Sequence, residues 1–171
     1  INPRSAQAWS NLGAIQDTRG QAYEAIQSYK QSLECETSQP AVLVNLATVY
    51  IHQERLDAAQ RSLEAAIRMS DGLSAAHERM GYVLWRQDKL EEAAASYRKA
   101  LSLDSRNARA HAGLGVVLMS RFLTDATQTK LREQAIDAWH DSLEIDANQP
   151  RLRALVEKYK VRKPKRELDV D

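Results

Sequence analysis

Apolar and small residues recur along the chain at the i, i+3, i+4, i+7 spacing of one helix face, first at Trp9, Leu12, Gly13 and Gln16. The same stripe returns at Leu43, Leu46, Ala47 and Tyr50, at His77, Met80 and Gly81, and at His111, Leu114, Gly115 and Leu118. Between these stripes lies a second kind, carried by Ala25, Tyr29, Ser32 and Leu33, by Leu56, Ala59, Leu63, Ala66 and Ile67, and by Ala93 and Tyr97. Gly13, Ala47, Gly81 and Gly115 are each 34 positions apart, and the stretch Ser74–Asn107 is the copy the others approximate. A fixed period of that length is the mark of a solenoid, in which each unit buries its apolar face only by stacking on the next.

The stops and starts divide the chain into repeats at about 6–39, 40–73, 74–107 and 108–149. Ser5 is a suitable N-cap for a helix beginning near Ala6, and Gly20 ends that helix as a C′ residue. Pro40 suits a first turn, where no N–H is needed. Asp88 and Glu91 have the spacing of a capping box. In the fourth unit the helix-B alanine falls at Ala135, eight residues beyond the position the period gives, 127. This predicts an insertion near 122–130, accommodated by a longer loop and an early start of the last paired helix near Thr127. Ala135 is followed by Trp139, Ser142 and Leu143. Pro150 opens a capping helix over about 150–160, apolar at Leu152, Leu155, Val156 and Tyr159 and polar on its other side. A charged tail fills 161–171, and Asn2-Pro3 looks like the end of a preceding repeat, so the chain reads as a piece of a longer protein.

The recurring small residues let paired helices approach closely, and a larger side chain there costs about 1–3 kcal/mol by overpacking. The large Tyr29, Tyr97 and Trp139 fill the space one turn away. On these residues the chain resembles the tetratricopeptide repeat (TPR) family over roughly 1–160. The large-x-x-Leu-Gly pattern, followed by Ala, an aromatic and then Ala or Ser, occurs four times in phase. The departures are His77 and His111 where the first unit has Trp9, together with the insertion. The resemblance implies an all-α fold: a right-handed α-solenoid of stacked antiparallel helix pairs, with a ligand groove lined by the first helix of each pair.

The composition neither opposes nor sharpens that picture. Hydrophobic residues make up 43% and charged residues 27%, with a net charge of +1. Such a balance gives no reason to expect nucleic acid. No apolar run is long enough for a membrane span. Cys35, the single cysteine, permits no internal disulfide and is expected to be a small buried hydrophobe. His52, His77, His111 and His140 lack carboxylate or Cys at ligand spacing, so neither metal nor cofactor is expected, and no catalytic arrangement stands out. The basic run from Lys158 to Arg166 is followed at once by Glu167, Asp169 and Asp171, which reads as a solvated tail. The compartment is left open, with the cytoplasm favoured.

Candidate binding residues lie on the second face of each first helix: Gln7, Ser10 and Asn11; Asn45, Thr48 and His52; Arg79, Tyr82, Trp85 and Arg86; and Arg109. Asn offers both a donor and an acceptor to a peptide bond. Asn11 and Asn45 resemble in part the asparagine ladder of the TPR arrays of O-linked GlcNAc transferase, broken here by Arg79 and Gly113; equally, Asn is a common residue of the repeat. Arg79, Arg86 and Arg109 suit a carboxylate on the ligand, while Arg79 alternatively pairs with an acidic residue of its own surface. Of the five positions of the carboxylate clamp of chaperone-binding TPR domains, this chain has Ser10, Ala14, Asn45, Ala75 and Arg79, so only two match. Tyr82 and Trp85 are either ligand anchors or packing residues. The resulting expectation is a non-enzymatic scaffold that grips an extended peptide, with an acidic group, in the groove. Its alternatives are self-association through the solenoid end, giving a homo-oligomer, and recruitment of substrate for a larger enzyme.

Overall fold

The computed structural model describes residues 5–160. The expectations for Asn2-Pro3 and for the 161–171 tail lie outside that range. Within it run α1 (Ala6–Thr18), α2 (Ala22–Cys35), α3 (Pro40–His52), α4 (Leu56–Met69), α5 (Ser74–Arg86), α6 (Leu90–Leu103), α7 (Ala108–Thr124), α8 (Thr129–Ile145) and α9 (Pro150–Tyr159). The helices pack as successive pairs, α1 with α2 through α7 with α8, and each pair stacks on the next. The first helices α1, α3, α5 and α7 also touch one another in sequence, which the second helices do not do to a comparable extent. The stack therefore curves with its odd helices on the inside, as an all-α solenoid.

Each pair is closed by one small residue against one large one. A Cβ built on Gly13 would stand 2.9 Å from the Tyr29 ring, and one on Gly81 2.9 Å from Tyr97. On Gly115 it would meet Trp139 at 2.4 Å and the Ala135 carbonyl oxygen at 2.8 Å. At the equivalent position of the second pair, where Leu63 replaces the aromatic ring, the glycine has become Ala47. Tyr29 is 2% exposed, and burial with the nearby Asp17 charge pushes its phenol up to about 12.

The helix ends are periodic too. Ser5 Oγ accepts from the Ala8 amide at 3.2 Å, as an N-cap should. Gly20 has φ 74°, and Glu54 and Asp88, one and two periods on, have φ 55° and 61°. All three are left-handed residues that end a first helix. This corrects the capping box: Asp88 closes α5 instead of opening α6, whose N-cap is Lys89 without a side-chain bond. Glu91 instead pairs with Arg121 at 3.1 Å.

At the next step of that period stands Phe122, which is helical. A bulky residue would be strained at positive φ, and α7 continues, with 17 residues against 13 in α5. The paired α8 likewise has 17 residues against 14 in α6. The insertion is thus shared out: one extra turn on α7, the expected early start of α8, at Thr129, and a connection only one residue longer than in the other pairs. Only Asp125–Gln128 connects them, held by Asp125 Oδ1 accepting from the Thr127 hydroxyl at 2.6 Å and Oδ2 from Gln128 Nε2 at 2.8 Å. That network holds the Asp125 carboxyl below its ordinary range.

At the far end, Leu152 and Val156 of α9 are buried, and Tyr159 lies 6.1 Å from Trp139. Cys35 departs from expectation: it is exposed, as are Met69 and Leu103 one and two periods later. The last residue of α2, α4 and α6 is thus turned to solvent, so a thiol there gains little burial.

Candidate functional site: a cavity on the inner face of α3, α5 and α7

The curvature brings α3, α5 and α7 around a cavity of about 480 Å³. From α3 it is lined by Thr48, Ile51 and His52, and from α5 by Glu78, Arg79, Tyr82 and Trp85. From α7 come Arg109, Ala112, Gly113 and Val116, while Tyr97 of α6 and Gln149 complete it. Tyr82 and Trp85 stand one turn apart on α5 with ring centroids 5.8 Å apart. Tyr97 reaches the cavity because Gly113 has no side chain: a Cβ there would lie 2.3 Å from the Tyr97 ring carbon that bears the hydroxyl. The break in the asparagine series at Gly113 therefore has a steric reason. The position that carries Asn11 and Asn45 in earlier repeats is emptied to admit a phenol from between the pairs.

Three polar residues of the cavity, Thr48, Glu78 and Arg79, form one linked group. Glu78 is 7% exposed. Its carboxylate receives Arg79 at 2.7 Å, and Arg79 also donates from Nε to the Thr48 hydroxyl at 3.0 Å. Burial raises the Glu78 carboxyl above its ordinary range, against the pull of the Arg79 and Arg109 charges. Burial raises the Tyr97 phenol as well, helped by Glu78, so it stays a neutral hydroxyl. Arg109 is exposed, and among the described residues it forms no hydrogen bond or ion pair.

The predicted residues separate into two groups. Thr48, His52, Arg79, Tyr82, Trp85 and Arg109 meet in the cavity. Gln7, Ser10, Asn11, Asn45 and Arg86 do not line it. Gln7 and Asn11 are exposed on α1, joined by a Gln7 Nε2 to Asn11 Oδ1 bond of 2.7 Å, and Asn45 is exposed on α3. Ser10 is half-buried on α1. His52 sits 3.9 Å from Asp17, at the edge towards α1.

Arg86 is held by Glu54 through its two terminal guanidinium nitrogens and by the Tyr82 hydroxyl, which accepts from Nη1 at 3.0 Å. Its place is thus set by Glu54, whose carboxyl the pairing lowers. Arg79 makes the pairing with an acidic residue of its own surface that the sequence left open, at Glu78.

Sequence reasoning missed Tyr97 and Gln149. Tyr97 sits on a second helix and reads as packing, and only the adjacent Gly113 signalled that its ring passes through to the inner face. Gln149 is a clip at the α8–α9 junction, donating to the Asp146 carbonyl at 2.8 Å and to Ser142 Oγ at 3.0 Å. The equivalent histidines secure loops: His77 Nε2 lies 3.0 Å from the Asp71 carbonyl oxygen, and His111 Nε2 3.0 Å from that of Ser105.

Comparison with known proteins gives a consistent result. A family model described as tetratricopeptide repeat matches residues 6–36 and 40–72, and one described as TPR repeat matches 81–120. The probable biofilm formation methyltransferase WspC of Pseudomonas putida (strain KT2440) is 39% identical over 66 residues, which are 39% of this chain and 16% of that protein. Among solved structures, YrrB, titled a TPR protein with an unusual peptide-binding site, superposes with a TM-score of 0.70 at 19% identity. The match covers 92% of this chain and 76% of that one. The first TPR of Spaghetti, bound to the HSP90 peptide SRMEEVD, gives a TM-score of 0.67 at 23% identity, covering 73% of this chain and 98% of that one.

Proposed function

The chain belongs to the tetratricopeptide repeat family, and from that premise we propose that it is a non-catalytic protein-interaction scaffold that holds an extended peptide along the inner face of its odd helices. The observation that carries this reading is the cavity between α3, α5 and α7, with the Tyr82 and Trp85 rings, the Tyr97 ring seated on the Gly113 backbone, and an exposed Arg109 that forms no hydrogen bond or ion pair among the described residues. Concave, mostly apolar sites with a few placed polar groups are where proteins take ligands. Two similar folds are described by their titles as having a peptide-binding site or as bound to a peptide. In this reading the ligand backbone runs from Asn11 and Asn45 on α1 and α3 towards Trp85, with each Asn amide holding a peptide bond.

The test is a peptide-array screen of the wild type beside Trp85→Ala and beside the Asn11→Ala, Asn45→Ala double variant. Partners bound by the wild type should be lost from Trp85→Ala and weakened in the double variant, by about 1 kcal/mol for each buried bond removed. Helix content by circular dichroism confirms that the variants remain folded. Partners retained by all three would move binding to another surface.

Ile15 and Tyr23, 48% and 71% exposed on the first pair, favour a second reading, association through that end of the stack. Light scattering across a concentration series decides it, since a constant monomer mass rules it out. The match to part of WspC supports a third reading, in which such a scaffold recruits substrate within a longer enzyme.

A further inference from the structure

The cavity is polarised along the helix axes. Its charged residues, Glu78 and Arg79 on α5 and Arg109 on α7, come from the first halves of those helices. The large apolar residues lie further along: Trp85 in the second half of α5 and Val116 in the middle of α7, with Ile51 from the end of α3, while only the small Ala112 stands nearer Arg109. From Arg79 to Trp85 the axial rise is about 9 Å, and from Arg109 to Val116 about 10 Å.

The charges do not cancel. Glu78 and Arg79 satisfy each other at 2.7 Å, while Arg109 has no bonded partner among the described residues. One arriving carboxylate makes the group of three neutral, and it would also lie near the first turn of α7, where the helix dipole favours an anion. A cationic ligand would add a third positive charge beside two arginines and gain only the buried, already paired Glu78.

We propose that the bound segment places one bulky apolar side chain between Trp85, Val116 and the Tyr97 ring that covers Gly113, and an acidic side chain two positions away on Arg109. Two positions is the spacing that an extended strand allows on one face, about 7 Å, and the length of the Arg109 side chain covers the remainder. The occupant is therefore an acidic, extended segment of another protein. Recognition is internal to that segment and needs no terminal carboxylate, consistent with the absence of three of the five clamp positions. This inference rests on the peptide-groove reading and adds the ligand chemistry to it.

The experiment is selection of a randomised ten-residue peptide display library on the full chain, followed by fluorescence anisotropy of the enriched peptides. Enrichment of a bulky apolar residue with Asp or Glu two positions away is expected. Arg109→Ala should weaken an enriched peptide about tenfold. Changing the peptide's acid to its amide should do the same, and combining the two changes should cost little more than either alone, because both remove one bond. Arg109 is exposed and unbonded, so its replacement leaves the fold intact, as melting will verify.

Enriched peptides without that pairing, or with unchanged affinity for Arg109→Ala, would overturn this inference while leaving the groove in place. No enrichment at all, or equal binding to Trp85→Ala, would overturn the groove reading and this inference together.

Discussion

At the scale of single residues, the cavity is governed by which charges are already satisfied. Three arginines look equivalent in the sequence. Arg86 is taken by Glu54, Arg79 by Glu78 and Thr48, and of the three only Arg109 faces the cavity unbonded among the described residues. Glu78 carries a consequence of its own. Its folded carboxyl is raised by burial, so the folded chain binds that proton more tightly than the unfolded chain. Stability from Glu78 is therefore fully present below the unfolded value and declines as pH rises through the raised folded one. Glu78→Gln keeps the shape and removes the titration, so its stability relative to wild type should increase between about pH 4 and about pH 7. Denaturant midpoints at the two pH values check this. A relative stability that stays flat or falls would mean that the Arg79 pairing outweighs burial.

At the scale of elements, the unit is the pair of helices closed by a small residue against a large one. Gly81 is 2.9 Å, by its missing Cβ, from the Tyr97 ring. Gly81→Ala should destabilise the chain by about 1–3 kcal/mol. Tyr97→Leu copies the second pair, where Ala47 and Leu63 occupy these positions. The two substitutions together should cost less than the sum of their separate effects, and a double-mutant cycle in urea measures the coupling. Strict additivity would mean that the glycine answers to something other than the ring. The same element logic explains the fourth pair. Its extra residues lengthen helices because Phe122 occupies a position that Gly20, Glu54 and Asp88 leave in the left-handed region.

At the scale of the whole molecule, stability is shared between neighbours along one direction, and the last helix protects the end of the stack. Burial of Leu152 and Val156 is worth roughly 1.5–3 kcal/mol for each side chain. A chain truncated before Pro150 should lose stability of that order. It should also unfold its fourth pair ahead of the rest, because nearest-neighbour coupling leaves an uncapped end to fray. Tryptophan fluorescence, which includes Trp139, should then show an earlier transition than circular dichroism. Coincident transitions at the wild-type midpoint would contradict the capping role of α9.

Much of this was legible in the sequence, for a physical reason. Helix periodicity, the 34-residue repeat and the small–large pairing are local or fixed-distance patterns, and each forces the same helix pair wherever it recurs. The family, the all-α solenoid and six of the cavity residues follow from them, since residues on one helix face stay together in any stack. Three things required the tertiary structure. Arg79 pairs with its neighbour Glu78, but its second partner Thr48 and the Glu54 that holds Arg86 lie 31 and 32 residues away, which only stacking brings within reach. The passage of Tyr97 to the inner face depends on the gap at Gly113 in the next pair. The turn taken at Asp88, and not taken at Phe122, was decided by backbone conformation, which residue spacing does not encode. The repeat pattern determined that there is an inner face; the packing between repeats decided which of its residues are free to bind.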